Sequence, residues 1–244
     1  RKEEAASARR GRFSIAGRCQ TSPFDVTLDL GTPLARLGGL GNEAGMWRAS
    51  PSPIAAPSLA SAAPEHVAIS TQTMPFLLDH CFYRQAPQWP DVEDRWPVVP
   101  GTTILDLIRQ MLERHNQGSK VVEFRDVRFL SWLPAEPRQD VEFRYDDGDD
   151  GWIRVRFGEY ASASVRLARQ YEKCGDAVPQ ILETWSACEL SAKELYSRRI
   201  LFHGPSFQGV TFIGPIGPEG IAGRVRPSDV PGAVMDCMGQ IFGY

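Results

Sequence analysis

A segment that occurs twice constrains the fold of this chain more than any other feature of its sequence. Residues 100–110 read PGTTILDLIRQ and residues 231–240 read PGAVMDCMGQ, so in both a Pro-Gly start leads into an Asp-x-x-x-Gln pattern, one residue out of register. Pro-Gly can end the preceding strand or loop, and in a helix the Asp and the Gln, four residues apart, lie on one face. The repeat predicts two copies of one fold unit.

The surroundings of the first copy indicate which unit is repeated. Thr102 to His115 is the one strongly helical stretch, with apolar residues at three- and four-residue steps over a wide face, as in a mostly buried helix. Strand-like runs lie at residues 66–73, 121–129, 141–145, 152–157 and 161–167. A strand, a buried central helix and an antiparallel sheet around that helix make a hotdog fold. We therefore expect a mixed α+β double hotdog.

A stretch of small residues divides the chain. Residues 49–64 read ASPSPIAAPSLASAAP, which is too poor in large apolar groups to offset the entropy of ordering it, and this predicts a linker. We expect residues 1–63 to be a partly disordered interdomain segment, with one plausible strand from Phe24 to Leu30.

The rest of the chain is assigned to the two hotdog units. Residues 64–185 form the first, and residues 186–244 form the start of a second whose covering strands are missing from the sequence. An uncovered central helix would expose an apolar patch to water. We therefore expect the protein to continue past Tyr244 with strands that cover Met235, Met238, Ile241 and Phe242.

Charge and cysteine usage exclude several kinds of partner and site. The chain has 27 basic and 30 acidic residues without a basic block, so neither a nucleic acid nor an anionic membrane surface is an expected partner. The five cysteines form no Cys-x-x-Cys pair, which disfavours a disulfide framework and a zinc ribbon and indicates reduced thiols in the cytoplasm. No apolar run approaches the ~18–20 residues that span a bilayer.

Four segments, in this order along the chain, resemble those of one enzyme family. They are PFLLDH at residues 75–80, WPVVPG at 96–101, FHGPSF at 202–207 and DCMGQ at 236–240. The first resembles the family's strand into the catalytic histidine, the second the Pro-Gly entry to the central helix, the third a Tyr-Gly-Pro-x-Phe element and the fourth an Asp-x-x-x-Gln/His element. Over about residues 65 to 244 the chain resembles the double-hotdog dehydratase domains of type I polyketide synthases and polyunsaturated fatty acid synthases.

The resemblance implies a dehydration that needs no cofactor and no metal. The substrate would be a 3-hydroxyacyl thioester on the phosphopantetheine arm of an acyl carrier protein. Other domains of the same synthase would be partners, together with a possible second copy in a homodimer. His80 would be the catalytic base and Asp236 the catalytic acid, oriented by Gln240. The residues expected to bind substrate line a tunnel: Pro100, Gly101, His203, Gly204, Pro205 and Phe207.

The elimination explains why these residue types are needed. The proton at C2, beside the thioester carbonyl, is weakly acidic, so its removal requires a base with a pKa near neutral, which suits His80. The 3-hydroxyl is a poor leaving group unless it is protonated, which requires an acid held at least partly neutral by apolar surroundings. Asp236 is flanked in the sequence by Val234, Met235 and Met238, which would supply such surroundings.

Departures from the family pattern bear on the site. Arg84 stands where the family's first motif has a Gly, and an insertion rich in Pro and Trp precedes Pro100. His203 replaces the family's Tyr, so the phenol contact to the substrate region is not available. The copy of the Asp-x-x-x-Gln pattern at Asp106 serves as an internal comparison, because the family would make it non-catalytic.

Alternatives stay open on the sequence alone. Taken by itself, His80 is compatible with a core histidine and Asp236 with a charge at a helix N-terminus. A hotdog thioesterase would use a carboxylate and water and would not need His80. A catalytically silent double hotdog that binds carrier protein or shapes substrate would fit the replacements at Arg84 and His203. A serine hydrolase is disfavoured because Gln208 stands where the Gly-x-Ser-x-Gly pattern needs its last Gly.

Overall fold

A computed structural model describes residues 24–29, 64–82, 91–92, 95–171, 186–217 and 220–243, the first of these ranges as backbone only. Most of the predicted linker at residues 49–64, as well as Arg84 and Tyr244, lies outside the described residues, so the predictions made for them stay predictions. Within the described ranges no helix is both long enough and apolar enough to cross a membrane.

The described part of the chain forms two antiparallel sheets with helices packed on them. The elements in chain order are β1 (Phe24–Asp29), β2 (Glu65–Ile69), α1 (Gly101–His115), β3 (Lys120–Phe129), β4 (Gln139–Asp147), β5 (Ile153–Phe157), β6 (Ala161–Ala168), α2 (Ala192–Ser197), β7 (Val210–Gly217), β8 (Gly220–Val225) and α3 (Ala233–Phe242). The larger sheet has the order β2-β4-β5-β6-β3 and the smaller the order β1-β8-β7. All neighbouring strands are antiparallel. The predicted α+β class is confirmed.

Helix α1 packs on the larger sheet because one of its faces is apolar. Its buried residues include Ile104, Ile108 and Leu112, which share one core with Phe143 and Phe157 of the sheet. Strand β5 alternates buried and exposed side chains residue by residue, as a strand with one face on a core does. Burying a side chain of this size stabilises the fold by about 1.5–3 kcal/mol. The apolar face of α1 thus determines which face of the sheet becomes the core.

The predicted element boundaries hold for α1 and for most strands. Helix α1 begins at Gly101, one residue before the predicted start, and β3 to β6 agree with prediction to within two residues at each end. The strand predicted over residues 66–73 is too long, because β2 ends at Ile69. There the Thr73 N–H donates to Ser70 Oγ and the Ser70 N–H donates to Thr73 Oγ1, each over 3.1 Å. Such local bonds compete with a strand ladder, so a turn replaces the end of the strand.

The second unit is described in part, as the smaller sheet with α2 and α3. Met238 and Ile241 of α3 are 5% and 0% exposed, in a core formed with β7 and β8. A Cβ on Gly223 of β8 would stand 2.6 Å from Ile241 Cδ1, so the helix lies directly on that strand. Strands β7 and β8, which precede the helix in the chain, therefore cover both residues, whereas we expected strands past Tyr244 to do so. The expectation that the protein continues past Tyr244 stays a prediction. Phe242 is 41% exposed and Met235 is half-buried.

The two Pro-Gly segments meet where the units join. Thr103 Oγ1 donates a hydrogen bond to the carbonyl of Pro231 over 2.8 Å. Gly232 has a φ of +75°, and a Cβ on it would lie 2.5 Å from the carbonyl oxygen of Thr102. The repeated segments therefore touch each other, and the first turns of α1 and α3 lie side by side.

Candidate active site

Two of the family-like segments are held together by Asp79. Its Oδ2 accepts a hydrogen bond from the Ser206 N–H over 2.9 Å, and its backbone carbonyl accepts one from the Gly204 N–H over 2.7 Å. Residue 204 has to be glycine for this approach, because a Cβ would stand 2.7 Å from the carboxyl carbon of Asp79. These contacts bring the loop that carries His80 against the loop that carries His203.

His80 follows a short 3-10 helix, Pro75–Asp79, and is 6% exposed. Its backbone is fixed by bonds to Leu77 and Val98, each 3.0 Å long. Its Nδ1 lies 2.8 Å from the carbonyl oxygen of Val98. A carbonyl only accepts, so Nδ1 carries the proton and donates, which leaves the lone pair of Nε2 free.

The surroundings of His80 favour its neutral form. Burial lowers the pKa of the imidazole, and this outweighs the nearby charge of Asp236, which raises it. Aromatic rings stand around it, with centroids 5.9 Å away for Phe82, 5.1 Å for Phe202 and 5.6 Å for Phe207. The free lone pair and the neutral ring are the properties of a general base.

Asp236 lies in the first turn of α3, where Gln240 holds it. The Gln240 Nε2 donates to Asp236 Oδ2 over 2.8 Å and to the carbonyl of Phe207 over 2.9 Å. The Oε1 of the same amide accepts from the Tyr196 hydroxyl over 2.7 Å, and that hydroxyl in turn accepts from the Val210 N–H over 3.1 Å. The predicted pairing of Asp236 with Gln240 is thus present. The sequence pattern gave no indication of Tyr196, which fixes the orientation of the amide from α2.

His203 is the second imidazole of the site. Its Nε2 lies 3.2 Å from Asp236 Oδ2, and the side chains of the two residues are 9% and 13% exposed. Its ring stacks on Phe202, with centroids 4.1 Å apart and 22° between the planes, and its centroid is 5.4 Å from that of His80. Its Nδ1 is buried and has no hydrogen-bond partner among the described residues.

These contacts set the charge on Asp236. Burial raises the pKa of the carboxyl, but the bond and charge of His203, together with the bond from Gln240, outweigh it and lower the pKa below the ordinary value. This direction is opposite to the expectation of a partly neutral carboxyl. Its apolar neighbours in the sequence do not offset two hydrogen-bond donors.

The residues expected to bind substrate occupy distinct positions. Gly204, Pro205 and Phe207 form the turn beside His203, and Phe207 is fully buried. Pro100 and Gly101 begin α1, where a Cβ on Gly101 would lie 2.6 Å from the ring of Phe129. The ring of Phe129 therefore lies against the first turn of the helix.

The Asp-x-x-x-Gln copy in α1 has a different environment. The Asp106 carboxylate accepts from Arg109 over 2.7 Å and from Gln110 over 3.0 Å, and Arg109 also bonds Glu113 over 3.1 Å. A guanidinium thus occupies the place that the imidazole of His203 has beside Asp236. Both copies of the pattern lie on a helix, but the surroundings of Asp106 and Asp236 differ.

One ligand-type atom from each of His80, His203 and Asp236 lies within 4.8 Å of those of the other two. Two imidazoles and a carboxylate are a donor set that suits zinc or another first-row metal. They are therefore the residues that could hold an ion here, and the expectation of a metal-free site stays a prediction. The same spacing lets all three side chains reach one small substrate.

Sequence comparison finds no relative, since no protein-family model and no curated protein matches the chain. Structure comparison finds dehydratase domains. A GphF dehydratase variant made for improved crystallization has 16% identity and a TM-score of 0.52, over 73% of this chain and 66% of that one. The dehydratase domain of the CurF module of curacin polyketide synthase has 16% identity and a TM-score of 0.52, over 74% and 70%. A dehydratase domain of a mycocerosic acid synthase-like polyketide synthase has 16% identity and a TM-score of 0.50, over 73% of this chain and 65% of that one.

These likenesses bear on the fold. The chain spans about two thirds of the length of the solved chains that it matches. At this level of identity the comparison shows that the chain has the hotdog fold of polyketide synthase dehydratase domains, which is the fold that the four sequence segments predicted.

Proposed function

We propose that this chain is a dehydratase domain of a polyketide synthase-type multienzyme, which removes water from a 3-hydroxyacyl thioester to give the 2-enoyl thioester. The observation that carries the proposal is the meeting of His80 from one unit with Asp236 from the other, their ligand-type atoms within 4.8 Å. An imidazole and a carboxyl group at this spacing can serve adjacent carbons of one substrate, as an elimination across C2 and C3 requires. The shared fold supports the same assignment.

His80 acts as the base. Because Nδ1 donates to Val98, the lone pair of Nε2 is free to take the C2 proton. Because burial lowers the pKa of the ring, the neutral form that can accept a proton is populated at neutral pH. After the transfer, the imidazolium stands near the carboxylate of Asp236, which stabilises the new charge.

Asp236 serves the hydroxyl side of the substrate, held by Gln240. The thioester oxygen, which gains negative charge as the C2 proton leaves, is assigned to the N-terminal amides of α1, the helix that Pro100 and Gly101 begin, where the helix dipole favours an anion. The acyl chain would run past Gly204, Pro205 and Phe207. No cofactor is needed, because every step is a proton transfer or a loss of water.

The wider setting of this reaction is part of the proposal. An acyl carrier protein would deliver the substrate on its phosphopantetheine arm, and other synthase domains would be the lasting partners, in the cytoplasm. The solved chains of similar fold include domains named for modules of a polyketide synthase.

A hotdog thioesterase is the second candidate, and one observation favours it. The carboxylate of Asp236 is held by His203 and Gln240, as a carboxylate that activates water would be. A thioesterase has no use for a neutral imidazole held by Val98, and for that reason we rank it second. A silent binding domain is the third candidate.

One incubation separates the three candidates. The protein is given the 3-hydroxybutanoyl thioester of N-acetylcysteamine, and products are read by mass spectrometry. We expect a product lighter than the substrate by one water, and the reverse hydration when the 2-enoyl thioester is supplied. Release of the free acid would identify a thioesterase. No conversion in either direction would leave the silent binding domain.

A further inference from the structure

His203 has an arrangement that the two-residue scheme does not use. One ring nitrogen, Nε2, faces the carboxylate of Asp236 at 3.2 Å, and the other, Nδ1, is buried without a hydrogen-bond partner among the described residues. Stacking on Phe202 fixes the plane of the ring. Buried polar atoms are almost always paired, so this open nitrogen is a hydrogen-bonding group that is available to a bound ligand.

The chemistry of elimination needs a proton donor at the 3-hydroxyl of the substrate. The 3-hydroxyl leaves only if it receives a proton, and Asp236, whose carboxylate accepts bonds from both His203 and Gln240, is not set up to give one. An imidazolium with one N–H on a carboxylate and the other free is an arrangement that hands a proton to a leaving group. The carboxylate orients that ring and stabilises its charge.

Building on the proposed dehydratase function, we propose that His203 is the general acid of this site, that it protonates the departing 3-hydroxyl from Nδ1, and that Asp236 is its positioning residue. Nε2 of His80 takes the C2 proton, the electron pair of the C2–H bond becomes the C2–C3 double bond, and the C3–O bond breaks. The oxygen leaves as water with the proton from His203 Nδ1. One proton passed from His80 to His203 then restores both rings.

The neighbourhood of the two imidazoles fits these opposite roles. Their centroids are 5.4 Å apart, and Asp236 bonds His203, not His80. Burial lowers the pKa of His80, and the nearby His203 lowers it further against the opposing effect of Asp236. The two rings thus have different partners, since the carbonyl of Val98 holds Nδ1 of His80 and the carboxylate of Asp236 holds Nε2 of His203.

Two substrates that differ only in the leaving group test the assignment. One is the 3-hydroxybutanoyl thioester of N-acetylcysteamine, whose hydroxyl must be protonated. The other is the 3-chlorobutanoyl thioester, from which chloride leaves without a proton, with the uncatalysed elimination subtracted. Both need the base, and only the first needs the acid.

The informative variant is His203→Gln, whose amide can keep an N–H toward Asp236 but cannot give up a proton. We expect its kcat on the 3-hydroxy substrate to fall by about a hundredfold or more, with KM nearly unchanged, while elimination of chloride falls only a few-fold. Asp236→Asn should give the same pattern, since the amide no longer stabilises an imidazolium. His80→Ala should lose both eliminations.

The control is His66→Gln, the same substitution at an exposed histidine of β2 whose Nδ1 lies 3.4 Å from the carboxylate of Asp140. It should leave both rates at the wild-type value. Equal losses on the two substrates in His203→Gln and in Asp236→Asn would show a structural role and overturn the proposal, as would an unchanged rate on the 3-hydroxy substrate. If the wild-type protein eliminates neither leaving group, the dehydratase function itself fails.

Discussion

Replacing Gly232 by alanine tests the join between the two units. Its φ of +75° lies in the left-handed region, which costs an L-residue about 1–2 kcal/mol. The new Cβ would also stand 2.5 Å from the Thr102 carbonyl oxygen, which belongs to the backbone at the start of α1 and cannot rotate away. Forced overlap of this kind costs typically about 1–3 kcal/mol. We expect Gly232→Ala to lower the free energy of unfolding by about 2–5 kcal/mol.

Alanine substitutions at two further glycines separate the cost of the left-handed backbone from the cost of the steric overlap. Gly118 has a φ of +82° and no described atom within 4 Å of an added Cβ, so Gly118→Ala carries the backbone cost alone, about 1–2 kcal/mol. Gly239 lies within α3, also with no described atom within 4 Å of an added Cβ. Alanine is the better helix former by about 0.8–1 kcal/mol, so Gly239→Ala should stabilise the protein.

The assay is urea unfolding of the three variants and the wild type, followed by circular dichroism and by tryptophan fluorescence. The free energies should rank Gly239→Ala above wild type, then Gly118→Ala, then Gly232→Ala. If Gly232→Ala costs no more than Gly118→Ala, the α1 backbone does not lie against Gly232, and the side-by-side placement of the two helix starts is refuted.

Three other predictions follow from the site. Tyr196→Phe leaves Gln240 Oε1 and the Val210 N–H unpaired, so urea unfolding should show a loss of about 1–3 kcal/mol, and kcat should fall more than KM changes. Because burial lowers the pKa of His80 below 6.5, the acidic limb of the kcat/KM profile should lie below pH 6.5; a limb at or above 6.5 would contradict this. Asp106→Asn should leave turnover of the 3-hydroxyacyl thioester at the wild-type value, since that carboxylate bonds Arg109 and Gln110; a large loss in a folded variant would argue against the assignment.

The fold could be predicted from the sequence where the pattern is long and regular. Apolar residues recur on one face of helix α1 over its 15 residues, and the helix begins one residue before the predicted start. The end of β2 could not be predicted this way. The β-branched Thr73 and the small polar Ser70 are both compatible with a strand, but in the structure each backbone N–H donates to the other residue's hydroxyl. The covering of Met238 and Ile241 by β7 and β8 depends on contacts that are distant in the sequence, which a pattern along the helix does not encode.

In the site, too, contacts between residues close in the sequence could be predicted, and contacts between distant residues could not. Gln240 lies one helical turn from Asp236, so their bond follows from spacing. Tyr196 is 44 residues from Gln240 in the chain, and the bond between them follows from the way α2 packs near α3. The contact of His203 with Asp236 is also tertiary, and the signal for it was the replacement of the family's Tyr beside Gly204. That signal identified a changed residue but not its partner.

The most direct test of the central claim is the turnover of the 3-hydroxybutanoyl thioester by His80→Ala, Asp236→Ala and the double variant, with folding checked by circular dichroism. Each single variant should lose at least about a hundredfold in kcat. The double variant should be hardly slower than either, because residues that act on one transition state are strongly non-additive. Wild-type turnover in a folded His80→Ala variant would contradict the dehydratase assignment.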